Sequence, residues 1–217
     1  MKRYLPFAII AAVLVAALTA GALIYQSERA EQLEASKTPI PTPSFDPKEE
    51  RYNSRGIVTI EEFGDYQCPP CGNAHPILKS IKQEFGDRVR FIFHHFPLIQ
   101  LHQHAYLASQ AAVAAGFQGR FWEMHDLIYQ NQAYWSKASD VTPIFIGYAR
   151  QLGLDTNRFI NDLAGAQANA IIVSDIQRGQ SFGVKGTPTV FIDGREIPFD
   201  DLMKIDNLRN EIKKRLN

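Results

Sequence analysis

The chain has 217 residues, 45% of them hydrophobic, and its 23 basic and 23 acidic side chains leave a formal net charge of zero. With no basic stripe and no interleaved aromatics, it lacks the electrostatic footprint of a nucleic-acid-binding protein, and no nucleic-acid partner is expected. With that much apolar material and only two cysteines, a core can form without disulfide staples.

In chain order, Lys2 and Arg3 precede an uncharged stretch rich in Ala, Val, Leu and Ile over residues 5–25. Its length suits a helix crossing a hydrocarbon core of roughly 30 Å. The basic flank then directs everything after Tyr25 to the extracytoplasmic (periplasmic) side. Residues 1–25 therefore read as an uncleaved signal-anchor transmembrane helix. The small residues Ala20, Gly21 and Ala22 offer a cleavable signal peptide as the alternative. Residues 26–54 combine many charges with Pro41, Pro43 and Pro47, too polar to bury a core, and read as a semi-rigid linker. Residues 55–217 make one domain by length.

Within that domain, β-branched residues over 57–63 predict a strand, broken by Gly64 and Asp65. From Pro69, Ala74, Ile77, Leu78, Ile81 and Phe85 recur at helical spacing until Gly86. Residues 89–96 form a second strand, so the opening reads as a βαβ unit. Helical patterns follow over 101–115, around Phe121 to Tyr129, over 142–152, from the capping pair Asp155-Thr156, and over 164–182. A strand over 189–192, the hairpin signal Asp193-Gly194, a short strand over 195–198 and a helix over 200–216 close the chain. The helical stretch between the two β-containing halves, about 98–182, is too long for a connection and reads as an inserted subdomain.

The candidate chemistry lies in Gln67-Cys68-Pro69-Pro70-Cys71, at the junction of strand and helix. A disulfide between i and i+3 closes too short a loop to restrain the unfolded chain. A structural zinc site would want a second cysteine pair. What remains is a dithiol at a helix N-terminus, where free amides and the helix dipole favour a thiolate. This reads as a redox centre, with Cys68 the more exposed nucleophile.

Strand, Cys-Pro-Pro-Cys, helix, helical insertion and then Gly186-Thr187-Pro188-Thr189 before a hairpin resemble the DsbA-like thiol:disulfide oxidoreductases of the thioredoxin superfamily. The likeness covers about residues 55–216, and the run over 118–126 is similar to one in that family. It implies an α/β thioredoxin fold (βαβ + ββα) with an inserted all-helical subdomain. It also implies that Pro188 follows a cis peptide bond facing the dithiol, with Thr187 and Pro188 presenting backbone to a substrate strand. Glu62 matches a position where the family often carries an acid under the active-site helix, able to take the proton of Cys71. Strand alternation alone leaves open whether Glu61 or Glu62 faces that way.

The resemblance implies disulfide formation in secreted or cell-envelope proteins. It needs no cofactor besides the Cys68–Cys71 disulfide, which a membrane-bound, quinone-linked partner of the DsbB or VKOR type would regenerate. One departure stands out: strongly oxidising members carry His where this chain has Pro70, so a weaker oxidant is expected. A thioredoxin-like reductase or an isomerase in the same compartment is the alternative. A non-enzymatic Cys/His metal-binding protein is a further one, built on His75, His94, His95, His102 and His104. Strand and helix spacing give those histidines little convergence. Phe121, Trp122, Met124 and Tyr129 read as core of the insertion or as a peptide-lining surface.

Overall fold

The structure, a computed structural model, describes residues 19–22, 26 and 56–216. Residues 19–22 and 26 are helical and belong to a separate unit, Met1–Pro41. The rest of the expected anchor and linker lies outside the described residues. Among the described residues no helix is long and apolar enough to cross a membrane.

The domain is built on a four-stranded sheet ordered β2-β1-β3-β4. Here β1 is Val58–Gly64, β2 is Val89–His95, β3 is Thr189–Ile192 and β4 is Arg195–Ile197. The first two pair in parallel, Val58 opposite Val89 through Gly64 opposite His95, as a βαβ crossover requires. β3 runs antiparallel to β1, and β4 antiparallel to β3. The hairpin turn places Asp193 and Gly194 at φ 47° and 73°, the two positive values a two-residue hairpin of type I′ needs.

Every residue of β1 is buried because the sheet is covered on both faces. On one face Val58 and Ile60 pack with Ala74, Leu78 and Ile81 of helix α1 (Pro69–Phe85) and with Leu208 and Ile212 of the last helix. On the other, Phe63 packs with Phe96, Val184 and Phe191. The insertion consists of α2 (Ala105–Gly116), α3 (Phe121–Gln130), α4 (Gln132–Trp135), α5 (Thr142–Gln151), α6 (Thr156–Leu163) and α7 (Ala166–Ser181). Its own core, with Met124, Ile128, Trp135 and Phe145, is continuous with Tyr66, Cys68, Cys71 and Phe93. The insertion thus shares its apolar interior with the dithiol.

The fold is the α/β arrangement expected, with local differences. The short α4 carries no periodic signal of its own. The expected final helix over 200–216 divides into α8 (Phe199–Leu202) and α9 (Ile205–Leu216). Lys204 turns back onto the Asp201 carbonyl, and Asn207 donates to the Asp201 side chain at 2.7 Å, so local polar bonds replace one helical turn. Asp155 caps α6 as expected, accepting from the Arg158 amide at 3.0 Å.

Glu61 and Glu62 are both buried, on opposite faces of β1. Glu61 lies toward α7, where its Oε1 is 2.6 Å from Arg178 Nη2 and 3.3 Å from His94 Nε2. Asp175 of α7 completes this network, accepting from the His95 amide and facing His94 Nδ1, each at 2.9 Å. Truncating a buried ion-pair partner leaves the rest uncompensated. Asp175→Ala is expected to destabilise the domain by about 3 kcal/mol, read as a lower denaturation midpoint, with Asp175→Asn losing less.

Candidate active site

The chain leaves β1 at Gly64 and turns within residues 65–67, the Cys68 amide donating to the Asp65 carbonyl at 3.1 Å. Cys68 is the N-cap of α1, with extended backbone, and Pro69 and Pro70 occupy the first helical positions. Proline is tolerated there because those amides would lack an intrahelical acceptor anyway. It also removes two of the donors that a helix N-terminus would otherwise present to a sulfur.

The turn is pinned from several directions. Asp65 is fully buried; its Oδ1 accepts from the Gln67 amide at 2.7 Å. Its Oδ2 accepts from the Leu98 amide and faces His102 Nδ1, each at 2.8 Å. Gln67 accepts from the His104 amide at 2.7 Å, and Gln132 of α4 donates to the carbonyls of both Tyr66 and Cys68 at 2.8 Å. Gln132 can come this close because Gly72 has no side chain: a Cβ there would lie 2.5 Å from Gln132 Oε1. Asp65, Gln67, His102 and Gln132 support the dithiol from positions up to 66 residues away, as between Gln132 and Tyr66, and no local motif announces them.

Facing the turn is the loop before β3, where the Thr187–Pro188 peptide bond is cis. The Cys68 thiol donates to the Thr187 carbonyl at 3.2 Å. Cys68 and Cys71 are both free thiols, 4% and 0% exposed, so a macromolecular thiol reaches Cys68 first. Glu62 lies beneath, 1% exposed, with its Oε1 making no hydrogen bond. The structure therefore brings Cys68, Cys71, Thr187, Pro188 and Glu62 into one place.

Their protonation is driven apart. Hydrogen bonding from the Cys71 side chain, against the desolvation of burial and helped by Thr187 and the Cys71 amide, lowers the Cys68 thiol to about 6. The Cys71 amide is a first-turn donor that survives the two prolines. Burial first, then Cys68 and Glu62, push Cys71 well above a normal thiol. Burial, reinforced by the charge of Cys68, raises the Glu62 carboxyl to about 8.

The histidines separate into different surroundings: His94 between Glu61 and Asp175, His102 on Asp65, and His104 with Nε2 2.9 Å from the Ala138 carbonyl. His95 lies on the other sheet face, against Tyr66, Phe93 and Phe121. Phe121, Met124 and Tyr129 are buried core, while Trp122 is half-buried under the Lys82 ammonium.

The sequence profile of the family described as Thioredoxin matches residues 53–214. BdbD from Bacillus subtilis, in its oxidised crystal structure, superposes with a TM-score of 0.64 at 23% identity, covering 75% of this chain and 89% of that one. The thiol-disulfide exchange protein alpha-DsbA2 from Wolbachia pipientis gives a TM-score of 0.61 at 18% identity, covering 75% and 83%. These likenesses show a DsbA-type fold. A sequence relative, the Na(+)/H(+) antiporter NhaA 1 of Salinispora arenicola, is 40% identical over 138 residues, which are 64% of this chain but 20% of the antiporter. The chain thus spans about a fifth of the length of the curated relatives it matches, and antiport is said only of those longer proteins.

Two outcomes follow from the electrostatics. Alkylation of the reduced protein should occur at Cys68, with a rate that rises through a midpoint near pH 6 and levels off above it, as mass mapping across pH would show. Glu62 has its folded value, about 8, above the ordinary 4.5, so unfolding releases its proton at lower pH. Its contribution is complete below pH 4.5 and is lost as pH rises through 8. Glu62→Gln should therefore gain stability over the parent progressively across that window, by up to about 5 kcal/mol, read from denaturation curves at pH 5 and 9.

Proposed function

We propose that this chain, which belongs to the thioredoxin family, is a thiol:disulfide oxidoreductase of the DsbA type that donates disulfides to exported proteins. The observation that carries the reading is the opposed pair of thiols at the head of α1, facing the Thr187 carbonyl: Cys68, held low by hydrogen bonding from the Cys71 side chain, and Cys71, held high by burial and by Cys68 and Glu62.

In the donating direction the resting state is the Cys68–Cys71 disulfide. A substrate thiolate attacks Cys68 Sγ, the S–S bond breaks, and Cys71 leaves as a thiolate. Being strongly basic, Cys71 takes up a proton, and the neutral Glu62 carboxyl is the nearby acid able to give it. A second substrate thiolate then attacks the substrate's own sulfur in the mixed disulfide. Cys68 departs as a thiolate, a good leaving group because its pKa is low. Two electrons have passed from two substrate thiols to the protein disulfide. In the reverse direction ionised Glu62 would deprotonate Cys71 for attack on Cys68.

The Thr187 carbonyl and Pro188, in the loop before β3, give the site its second half. In the dithiol state the Thr187 carbonyl accepts from Cys68; once the sulfur is bonded to substrate, that carbonyl is released to accept a substrate amide. Pro188 contributes no competing donor, so an extended peptide can pair with the backbone beside the reactive sulfur.

The direction rests on thiolate stabilisation. Hydrogen bonding from the Cys71 side chain lowers the Cys68 thiol to about 6 and so favours its thiolate, while Pro69 and Pro70 withhold two amides that would lower it further. This favours a moderate oxidant over a thioredoxin-like reductase. The basic-then-apolar stretch over 1–25 supports a membrane-tethered domain on the extracytoplasmic side, where such chemistry can proceed. A membrane-bound, quinone-linked partner of the DsbB or VKOR type would then reoxidise it.

The test is the refolding of a reduced ribonuclease by the oxidised full chain. Native disulfides should form at the expense of the Cys68–Cys71 bond. Cys68→Ser should abolish transfer, and Cys71→Ser, mixed with scrambled, disulfide-bonded ribonuclease in place of the reduced form, should attack a substrate disulfide through Cys68 and hold the mixed disulfide, seen as a reducible higher-mass band. Transfer that survives Cys68→Ser would refute the assignment.

A further inference from the structure

We infer that His75, His125 and Asp126 form a site for a divalent transition metal, best suited to Zn²⁺, joining the active-site helix to the helical insertion. His75 lies on α1, one turn beyond Cys71; His125 and Asp126 are adjacent on α3. One donor atom from each lies within 4.8 Å of the other two. The His75 Nε2 to Asp126 Oδ1 separation is 3.3 Å. Two ligands of a tetrahedral zinc, each about 2.0 Å from the metal, stand about 3.3 Å apart, so this pair already has the spacing of one tetrahedron edge.

The polar groups around the cluster point the same way. His75 is 7% exposed, and its Nε2 makes no hydrogen bond despite facing a carboxylate oxygen. Glu62 Oε1, also buried and without a hydrogen bond, lines the same cavity of about 380 Å³. Orphaned buried polar atoms are uncommon and call for a partner. A cation between His75 and Asp126 would give the His75 nitrogen its partner, and the cavity leaves room for entry and for a fourth, open coordination position.

The surrounding contacts select the donor atoms. His125 Nδ1 is 3.0 Å from the Tyr66 hydroxyl, which leaves Nε2 to ligate and orients the ring as an outer-shell partner does at metal-bound histidines. Lys79 Nζ occupies Asp126 Oδ2 at 2.6 Å, leaving Oδ1 toward His75. The Lys82 ammonium stands 3.7 Å from the centre of the Trp122 ring, so an aromatic face holds that charge. Two imidazoles and one carboxylate suit zinc; calcium and magnesium take oxygen ligands, and copper(I) takes sulfur.

The test uses the full chain carrying Cys68→Ser and Cys71→Ser, which removes the thiols as competing ligands. Titration with Zn²⁺ alone should show one equivalent bound, and Co²⁺ in its place should give the visible absorption of a low-coordinate nitrogen/oxygen site. Adding His75→Gln or Asp126→Asn should each weaken Zn²⁺ binding by about tenfold or more. Because these residues lie on different helices, and Zn²⁺ should raise the melting temperature of the parent alone, loss of fold in one variant leaves the other to decide. No bound equivalent in the thiol-free chain, or affinity unchanged in a folded variant, would overturn the site. Neither result bears on disulfide exchange, which the thiol-free chain cannot perform.

Discussion

The contact from the Cys68 thiol to the Thr187 carbonyl joins positions 119 residues apart, and the architecture of the domain follows from holding them together. β1 lies between β2 and β3, so the turn after β1 and the loop before β3 emerge at the same end of the sheet. Helix α1 begins at that end with Cys68 as its cap. The insertion is threaded between β2 and β3 and returns to the same place, where Gln132 grips the backbone on both sides of Gln67. Remove the insertion and the turn loses its partners Gln132, Ser136 and the His104 amide, so the added subdomain belongs to the site.

Around this contact, burial and hydrogen bonding push the acidities in opposite directions. Cys68 keeps hydrogen-bonding partners for a negative sulfur, while Cys71 and Glu62 lie where charge is disfavoured. The result is one thiol ready to leave, one ready to hold its proton, and a carboxyl that can exchange a proton with it near neutral pH. The two prolines moderate this asymmetry without abolishing it, because the Cys71 amide remains to support the Cys68 sulfur.

Much of this was legible in the chain. The strand over 57–63, the helical spacing of Ala74, Leu78 and Ile81 and the Asp193-Gly194 turn are local patterns, and local physics sets them. The dithiol was legible because a helix N-terminus is a one-dimensional feature. Glu62 was only half legible: alternation separates it from Glu61 but cannot say which face carries the sulfur, and covering helices bury both. The bracing by Asp65, His102 and Gln132 was illegible, since the bonds from Asp65 to Leu98 and His102 and from Gln132 to Tyr66 span 33, 37 and 66 residues and the partners share no motif. The pairing of His75 with His125 and Asp126 was hidden for the same reason; it exists only once α1 packs on α3. The break between α8 and α9 carries no signal in the helical pattern, because it rests on the Lys204 amide turning onto the Asp201 carbonyl and on one side-chain bond from Asn207 to Asp201.

The measurement that bears most directly on the assignment is the reduction potential of the Cys68–Cys71 couple, from equilibration of the chain with glutathione buffers. A Cys68 thiol held below the ordinary range predicts a value of about −180 mV or somewhat higher, and the two amides lost to Pro69 and Pro70 keep it short of the ≈ −120 mV of DsbA. A value near about −270 mV would contradict it and make the chain an electron donor of the thioredoxin kind.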